Sequence, residues 1–292
     1  MQLQFLLFYI AFFSKITHFQ LLFPIQMWYN PIMFEFVYKD IDFAHKIDEA
    51  SNPTENYEKH IHYFNEIVLF VTGDVLYTVE TETRKLQPGD IIFIPSGKYH
   101  FATVNSDAKY ERYVLKFPDS YVPAYIKEKR NASSCFLGNA HRYFDVFKNF
   151  DELRKTYDVE ELYSRYLCET ILLLIKLYHT PAPLQKESPA LIHSLINYIN
   201  ENIHKKITMD VLNKEFNFSK SYLSNEFKKH MKAPIMQYIR TKKILAAHKM
   251  ICDGMKTGQV ATYFGFDDYS TFYRSYIKIM GFAPTDYEGN NE

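Results

Sequence analysis

The chain has 292 residues, 47% of them hydrophobic, and its 34 basic side chains balance its 34 acidic ones. That much apolar material supports two domains rather than one, and the zero net charge excludes a uniformly basic or acidic protein. Three cysteines (Cys135, Cys168 and Cys252) with no CxxC spacing exclude a cysteine metal cluster and a disulfide framework, and fit a reducing cytoplasm.

Residues 1–31 read as an N-terminal extension. Leu3–Phe13 is apolar, but no basic residues precede it and no small-residue cleavage site follows. It is shorter than the roughly 20 apolar residues that a spanning helix needs. Three readings stay open: a start codon misassigned ahead of Met27 or Met33, an atypical membrane anchor, and an extra packed helix.

Residues 32–130 read as short strands. The runs Ile67–Val71, Val75–Val79, Ile91–Ile94 and Tyr113–Leu115 are β-branched or aromatic, and Thr72-Gly73-Asp74, Gln87-Pro88-Gly89-Asp90 and Pro95-Ser96-Gly97 bound them. Many short strands with regular turns predict a small barrel or jelly roll. On them lie His60-x-His62, then Glu66 and Gly73, and downstream Gly89, Pro95, Gly97 and His100. This resembles the two cupin motifs, HxH-x3-E-x6-G and G-x5-P-x-G-x2-H. Thr54 stands where the first motif has its leading Gly, and Asn105 lies one place off the trailing Asn. On a strand His60 and His62 would share one face, with Glu66 at even spacing behind them. With His100 they would form a three-histidine, one-carboxylate set suited to a divalent transition metal.

Residues 140–180 change to a helical period. Val159, Leu162, Tyr163, Tyr166, Leu167, Ile171, Leu174, Ile175 and Tyr178 recur at helical spacing with charge between them. Such a stripe either covers a face of the barrel or pairs with a second subunit. Thr180-Pro181-Ala182-Pro183 ends it and opens a short linker.

Residues 188–288 carry one pattern twice, 49 positions apart: Val211, Ser221, Leu223, Phe227 and Tyr238 recur as Val260, Ser270, Phe272, Tyr276 and Tyr287. Each copy predicts a short helix, a tight turn and a second helix. Thr208 and Ser219 are the expected caps in the first copy, with a turn at Asn217-Phe218. In the second copy Gly265 makes the turn, and Asp267 or Asp268 caps the next helix. Pro234–Ile251 would connect the two units. Helix-turn-helix units lay their second helix in a major groove, so a tandem pair implies two groove segments read from one face of DNA. From Ser188 onward 14 Lys and Arg face 10 Asp and Glu, a net of +4, against 20 and 24, a net of −4, before it. The basic half is therefore the half that would meet phosphate.

The string Gln259–Arg274, followed by Gly281 and Pro284, resembles the signature of AraC/XylS-type transcriptional regulators across the whole C-terminal third. Ile277, Glu288 and Asn213 depart from that pattern, at positions where the family usually has Lys, Arg and Ala. The resemblance implies an α+β architecture: an N-terminal cupin-like β-barrel (jelly roll), and an all-α C-terminal domain of two helix-turn-helix units joined by a linker helix. It implies binding of double-stranded promoter or operator DNA, a small-molecule effector in the barrel, a homodimer, and contact with RNA polymerase if the chain activates. Sensor domains of this family often keep the HxH…E…H trace without metal, so His60, His62, Glu66 and His100 are expected to line an effector pocket, for instance for a sugar. Metal binding by the same four residues is the alternative, and no cofactor or catalytic residue is assigned. The rival class is a metal-dependent cupin enzyme with an accessory DNA module. The DNA-facing sets, away from the apolar core positions, are Lys220, Ser221, Tyr222, Asn225 and Lys228 on the first recognition helix, and Tyr269, Thr271, Tyr273, Arg274 and Lys278 on the second.

Overall fold

The computed structural model describes residues 32–48, 60–129, 134–139, 141–153, 156–178 and 189–287. The N-terminal extension, Thr54, the Thr180–Pro183 linker, Ser188 and Glu288 lie outside the described residues. Among the described residues nine strands form two sheets. The larger has the order β1-β2-β8-β3-β6-β9, and the smaller the order β5-β4-β7. Their ranges are β1 Ile32–Tyr38, β2 Ile41–Asp48, β3 Asn65–Thr72, β4 Val75–Val79, β5 Glu82–Lys85, β6 Asp90–Ile94, β7 His100–Val104, β8 Tyr110–Phe117 and β9 Phe136–Asn139.

Strand β3 lies between β8 and β6, antiparallel to both, and is buried from Asn65 to Phe70. Its alternation sorts the core. Ile67 and Leu69 pack with Phe43, Phe93 and Leu115 toward the helices, whereas Val68 and Phe70 pack with Val75, Tyr77, Ile92 and Val104 between the two sheets. Period-2 geometry therefore puts Glu66, in phase with Val68 and Phe70, on the side facing the small sheet.

Helices α1 (Ala124–Lys129), α2 (His141–Leu153) and α3 (Val159–Tyr178) follow. The helical period expected across 141–178 is thus split in two, and Asp158 Oδ1 accepts from the amide of Glu161 at 2.9 Å at the start of α3. Leu162, Tyr163 and Tyr166 of α3 are buried in the same cluster as Phe43 and Ile67. One face of α3 thus covers the large sheet, while Val159 and Leu172 remain exposed.

The rest is helical: α4 Ala190–Glu201, α5 Met209–Phe216, α6 Lys220–Met231, α7 Ile235–Cys252, α8 Thr257–Tyr263 and α9 Tyr269–Met280. The caps are those the residues predict. Thr208 accepts from the Val211 amide, Ser219 from Tyr222, and Asp268, rather than Asp267, from Thr271. Asn217 takes the left-handed turn (φ 55°), a conformation that Asn tolerates best after Gly. Asn213 donates through Nδ2 to the Phe218 carbonyl at 2.8 Å, so this departure from the family pattern fastens the turn. Gly265 (φ 68°) has no such freedom to vary, because a Cβ there would sit 3.0 Å from the Lys206 amide nitrogen.

Each unit closes on α7. Leu223, Phe227 and Met231 pack with Ile235, Tyr238 and Ile239, whereas Phe272, Tyr276 and Met280 pack with Ile244, Ala247 and Ile251. In the second core His248 is buried beside Tyr276, with its Nδ1 2.6 Å from the hydroxyl, and burial lowers its pKa from 6.5 to about 4. The unfolded chain then binds more protons than the folded one between these values, so stability is present above about pH 6.5 and is lost as pH falls through that window. Acidification from about pH 7 to about pH 5 should cost on the order of 2 kcal/mol through this group. Urea titrations at the two pH values check this: His248→Gln should flatten the difference, and an unchanged pH slope in that variant would assign the loss elsewhere.

Candidate functional site

The first candidate lies in the barrel. His60, His62, Glu66 and His100 each offer a ligand atom, and these atoms all lie within 4.8 Å of one another. The sequence expectation of one strand carrying His60, His62 and Glu66 is corrected. His60 makes an isolated bridge to His100, the chain bends at Tyr63-Phe64, and only Glu66 belongs to β3. Convergence comes from pairing of the segment before β3 with the start of β7 and the turn ahead of it: His60 and His100 exchange backbone hydrogen bonds at 3.2 and 3.1 Å, and the Gly97 amide donates to the His62 carbonyl at 2.8 Å. Gly97 sits at φ 79°, the left-handed geometry that turns Pro95–Lys98 back toward β7.

The ring orientations are fixed from behind. His62 Nδ1 lies 2.8 Å from the Phe64 carbonyl, and His100 Nδ1 lies 3.0 Å from the Lys98 carbonyl. Both Nδ1 atoms therefore carry a proton and both Nε2 atoms point toward Glu66, where His62 Nε2 donates to the carboxylate only when its ring carries the second proton. His62 Nε2 is 3.0 Å from Glu66 Oε2, and His100 Nε2 is 3.9 Å from it, fully buried and without a hydrogen-bond partner. Burial pushes the Glu66 carboxyl up, but the His62 hydrogen bond and neighbouring positive charge outweigh it and hold the group ionised, well below the usual carboxylate range. Burial lowers His100 to about 3, so it stays neutral. A doubly fixed imidazole against a carboxylate is stable only as a protonated ring or across a bound cation. Three neutral-capable nitrogens, one carboxylate and backbone carbonyls behind the rings make the donor set of a divalent transition-metal site.

The second candidate is the outer surface of the helical domain. Lys220, Ser221, Tyr222, Asn225 and Lys228 are all exposed on α6, together with the stacked pair Phe218 and Tyr222 (ring centroids 5.1 Å). On α9 Tyr269, Arg274 and Lys278 are exposed, while Thr271 and Tyr273 are half-buried. Thr271 also donates to the capping Asp268 at 2.8 Å, and Tyr269 meets Thr257 at 3.1 Å, so part of this set fastens the helix start. Lys220 pairs with Asp210 at 2.5 Å.

Sequence reading missed Arg240. It lies exposed on α7 and, with Thr271, Arg274, Ser275 and Lys278, lines a cavity of about 280 Å³. Three cations around one concavity favour an anion such as a backbone phosphate. Only the packing of α9 on α7 brings Arg240 there, and no local signal marks it.

The AraC-like ligand binding domain model matches residues 47–196, and a helix-turn-helix domain model matches residues 212–290. The chain belongs to the AraC-type transcriptional regulators. It carries the two parts of such a regulator, a ligand-binding barrel and a helix-turn-helix domain. Its relatives include the probable transcriptional regulator LumQ of Photobacterium leiognathi, 23% identical over 78% of this chain and 91% of LumQ. The F1 operon positive regulatory protein of Yersinia pestis is 32% identical over 33% of each chain. An uncharacterized response regulatory protein of Staphylococcus epidermidis is 28% identical over 33% of this chain, a match that spans 38% of its own length. Among solved structures, ToxT of Vibrio cholerae bound to a naphthalenyl-butenoic acid aligns with 86% of this chain and 99% of ToxT, at 15% identity and a TM-score of 0.39. Among the described residues no helix is long and apolar enough to cross a membrane.

Proposed function

We propose that this AraC-type chain is a cytoplasmic, sequence-specific DNA-binding regulator, not an enzyme, and that ligand in its barrel changes its affinity for an operator. The observation that supports this best is the pairing of two capped helix-turn-helix units on one helix with basic, exposed outer faces. In this reading Asn225, exposed on α6, would make a bidentate contact to adenine, and the exposed Lys228, Arg274, Lys278 and Arg240 would meet phosphate. A homodimer, the common form in which two half-sites are read together, belongs to the same reading. An activating output would add contact with RNA polymerase.

The ligand whose chemistry the barrel site matches is a divalent transition metal, held by His60, His62, Glu66 and His100. The orphaned Nε2 of His100 supports this over a purely structural cluster, because a buried nitrogen without a partner has a desolvation cost that a metal removes. His60 is the exposed member of the set, and the other three are buried. A sugar or other organic effector, as the family resemblance implies, is the alternative occupant that the same experiment separates.

Operator affinity of the full chain should fall steeply with salt. Arg240→Ala should weaken all duplexes alike and reduce the salt slope by about one, as expected for a single phosphate contact. Asn225→Ala should instead relax base preference at one position at a cost of about 1–3 kcal/mol; parallel loss profiles in the two variants would remove Asn225 from base readout. Elemental analysis after Zn²⁺ loading and desalting should find about one equivalent, and His62→Ala should lose it, a weakening larger than the roughly 10–100-fold that loss of an outer partner causes. Wild-type protein that stays metal-free yet responds to an organic effector would assign the site to that effector.

A further inference from the structure

The segment that delivers His100 to the barrel site also holds the DNA-binding domain. Glu80, at the turn between β4 and β5, is buried in a left-handed conformation (φ 53°), which is uncommon for a residue with a side chain. Its amide donates to the Tyr99 carbonyl at 2.7 Å, and its Oε1 accepts from the Tyr99 amide at 2.9 Å. The same carboxylate reaches across to α7. Oε2 accepts from the Tyr238 hydroxyl at 2.6 Å, and Oε1 lies 3.5 Å from Lys242 Nζ. Lys242 Nζ in turn donates to the Gly97 carbonyl at 2.8 Å. Tyr99 and Phe101 pack into the core of the first helix-turn-helix unit, with Tyr99 edge-on to Tyr238 at 6.2 Å. Gly97–Phe101 is therefore gripped at both ends: by His60, His62 and the barrel site on one side, and by Tyr238 and Lys242 on the other.

We infer that Glu80, Tyr238 and Lys242 form a latch through which ligand at the histidine site changes the presentation of the two DNA-reading units. The inference rests on the reading of that site given above. Its physical basis is the character of the contact. Glu80 and Lys242 are desolvated when the domains dock and return to water when they part, so the ion pair adds little net stability to the docked state. The polar part of the boundary then opposes separation only weakly, and a ligand that moves His100 is able to bias the docked against the undocked arrangement. The left-handed turn at Glu80 is fixed within the barrel by the β4–β5 hairpin and by Tyr99, which presents the carboxylate to Tyr238 and Lys242. Linkage makes the coupling reciprocal: DNA changes metal affinity by the factor by which metal changes DNA affinity.

The test uses the full chain, Zn²⁺ alone as the ligand, and a duplex selected from a random pool by the wild-type protein. Saturating Zn²⁺ should change the wild-type DNA dissociation constant by about fivefold or more, within the usual range of coupling between sites, and the duplex should change Zn²⁺ affinity equally. In Glu80→Gln and in Lys242→Met the Zn²⁺ affinity of the free protein should stay within about twofold while the coupling factor falls toward one. Retention of the full factor in both variants, with Zn²⁺ still bound, would overturn the latch. Should the wild type bind no Zn²⁺, the reading of the site fails instead, and the latch is judged on hydrogen exchange. Residues 97–101 and 238–242 should exchange faster in both variants than in wild type, and unchanged exchange in folded variants would overturn it.

Discussion

Helix α7 has to satisfy three neighbours at once, and the arrangement of everything else follows from that. Its buried residues run from Ile235 to Ile251 and include Tyr238, Ile239, Lys243, Ile244, Ala247 and His248, so no single apolar stripe describes it. A helix buried on most sides acts as a central strut rather than a surface element. Its first half closes the core of the α5–α6 unit, its second half closes that of α8–α9, and a third face meets the barrel through Tyr238, Lys242 and Lys249. The spacing between the two recognition helices is thereby set by one rigid rod.

Lys243 is the least expected part of that strut. Its ammonium donates to the carbonyls of Lys205 and Phe264, and it lies 5.9 Å from the Phe266 ring centre. Phe264 is the C-cap just past α8, where the helix dipole gathers partial negative charge, so a cation there is favourable. Burial lowers its pKa to about 8. The same interaction ties the loop after α4 to the end of α8, against the turn where only Gly265 fits. Removing the ammonium would leave two carbonyls short of a donor, at about 1–3 kcal/mol for each that stays buried.

The helical domain was largely legible in the sequence because its signals are local. Thr208, Ser219 and Asp268 cap the helices that follow them, Asn217 and Gly265 take positive φ, and Leu223, Phe227, Phe272 and Tyr276 fall at helical spacing. The strand runs were legible for the same reason. The barrel site was legible in its residues but not in its geometry. The bend at Tyr63-Phe64 and the His60–His100 bridge depend on pairing between segments some 40 positions apart in the chain. Glu80 and Lys242 gave no signal at all, since 162 positions separate them and each reads locally as a turn residue and a solvated helix residue.

The two kinds of interface in this chain differ in the way a switch requires. Inside each helix-turn-helix unit the contacts are apolar and closely packed, so the unit moves as one body. Between barrel and helices the apolar contacts of Tyr99, Phe101, Ile61 and Tyr63 are joined by polar ones: Glu80 with Tyr238 and Lys242, Thr81 with His193 at 3.0 Å, and Asp119 with Lys249 at 3.3 Å. Water competes well for contacts of the second kind and poorly for the first, so relative motion concentrates at the domain boundary. The histidine site lies beside that boundary, because His100 opens β7 three residues after the turn at Gly97. A displacement of His100 needs no relay through the barrel core to reach α7. It arrives at the strut that sets where both recognition helices point.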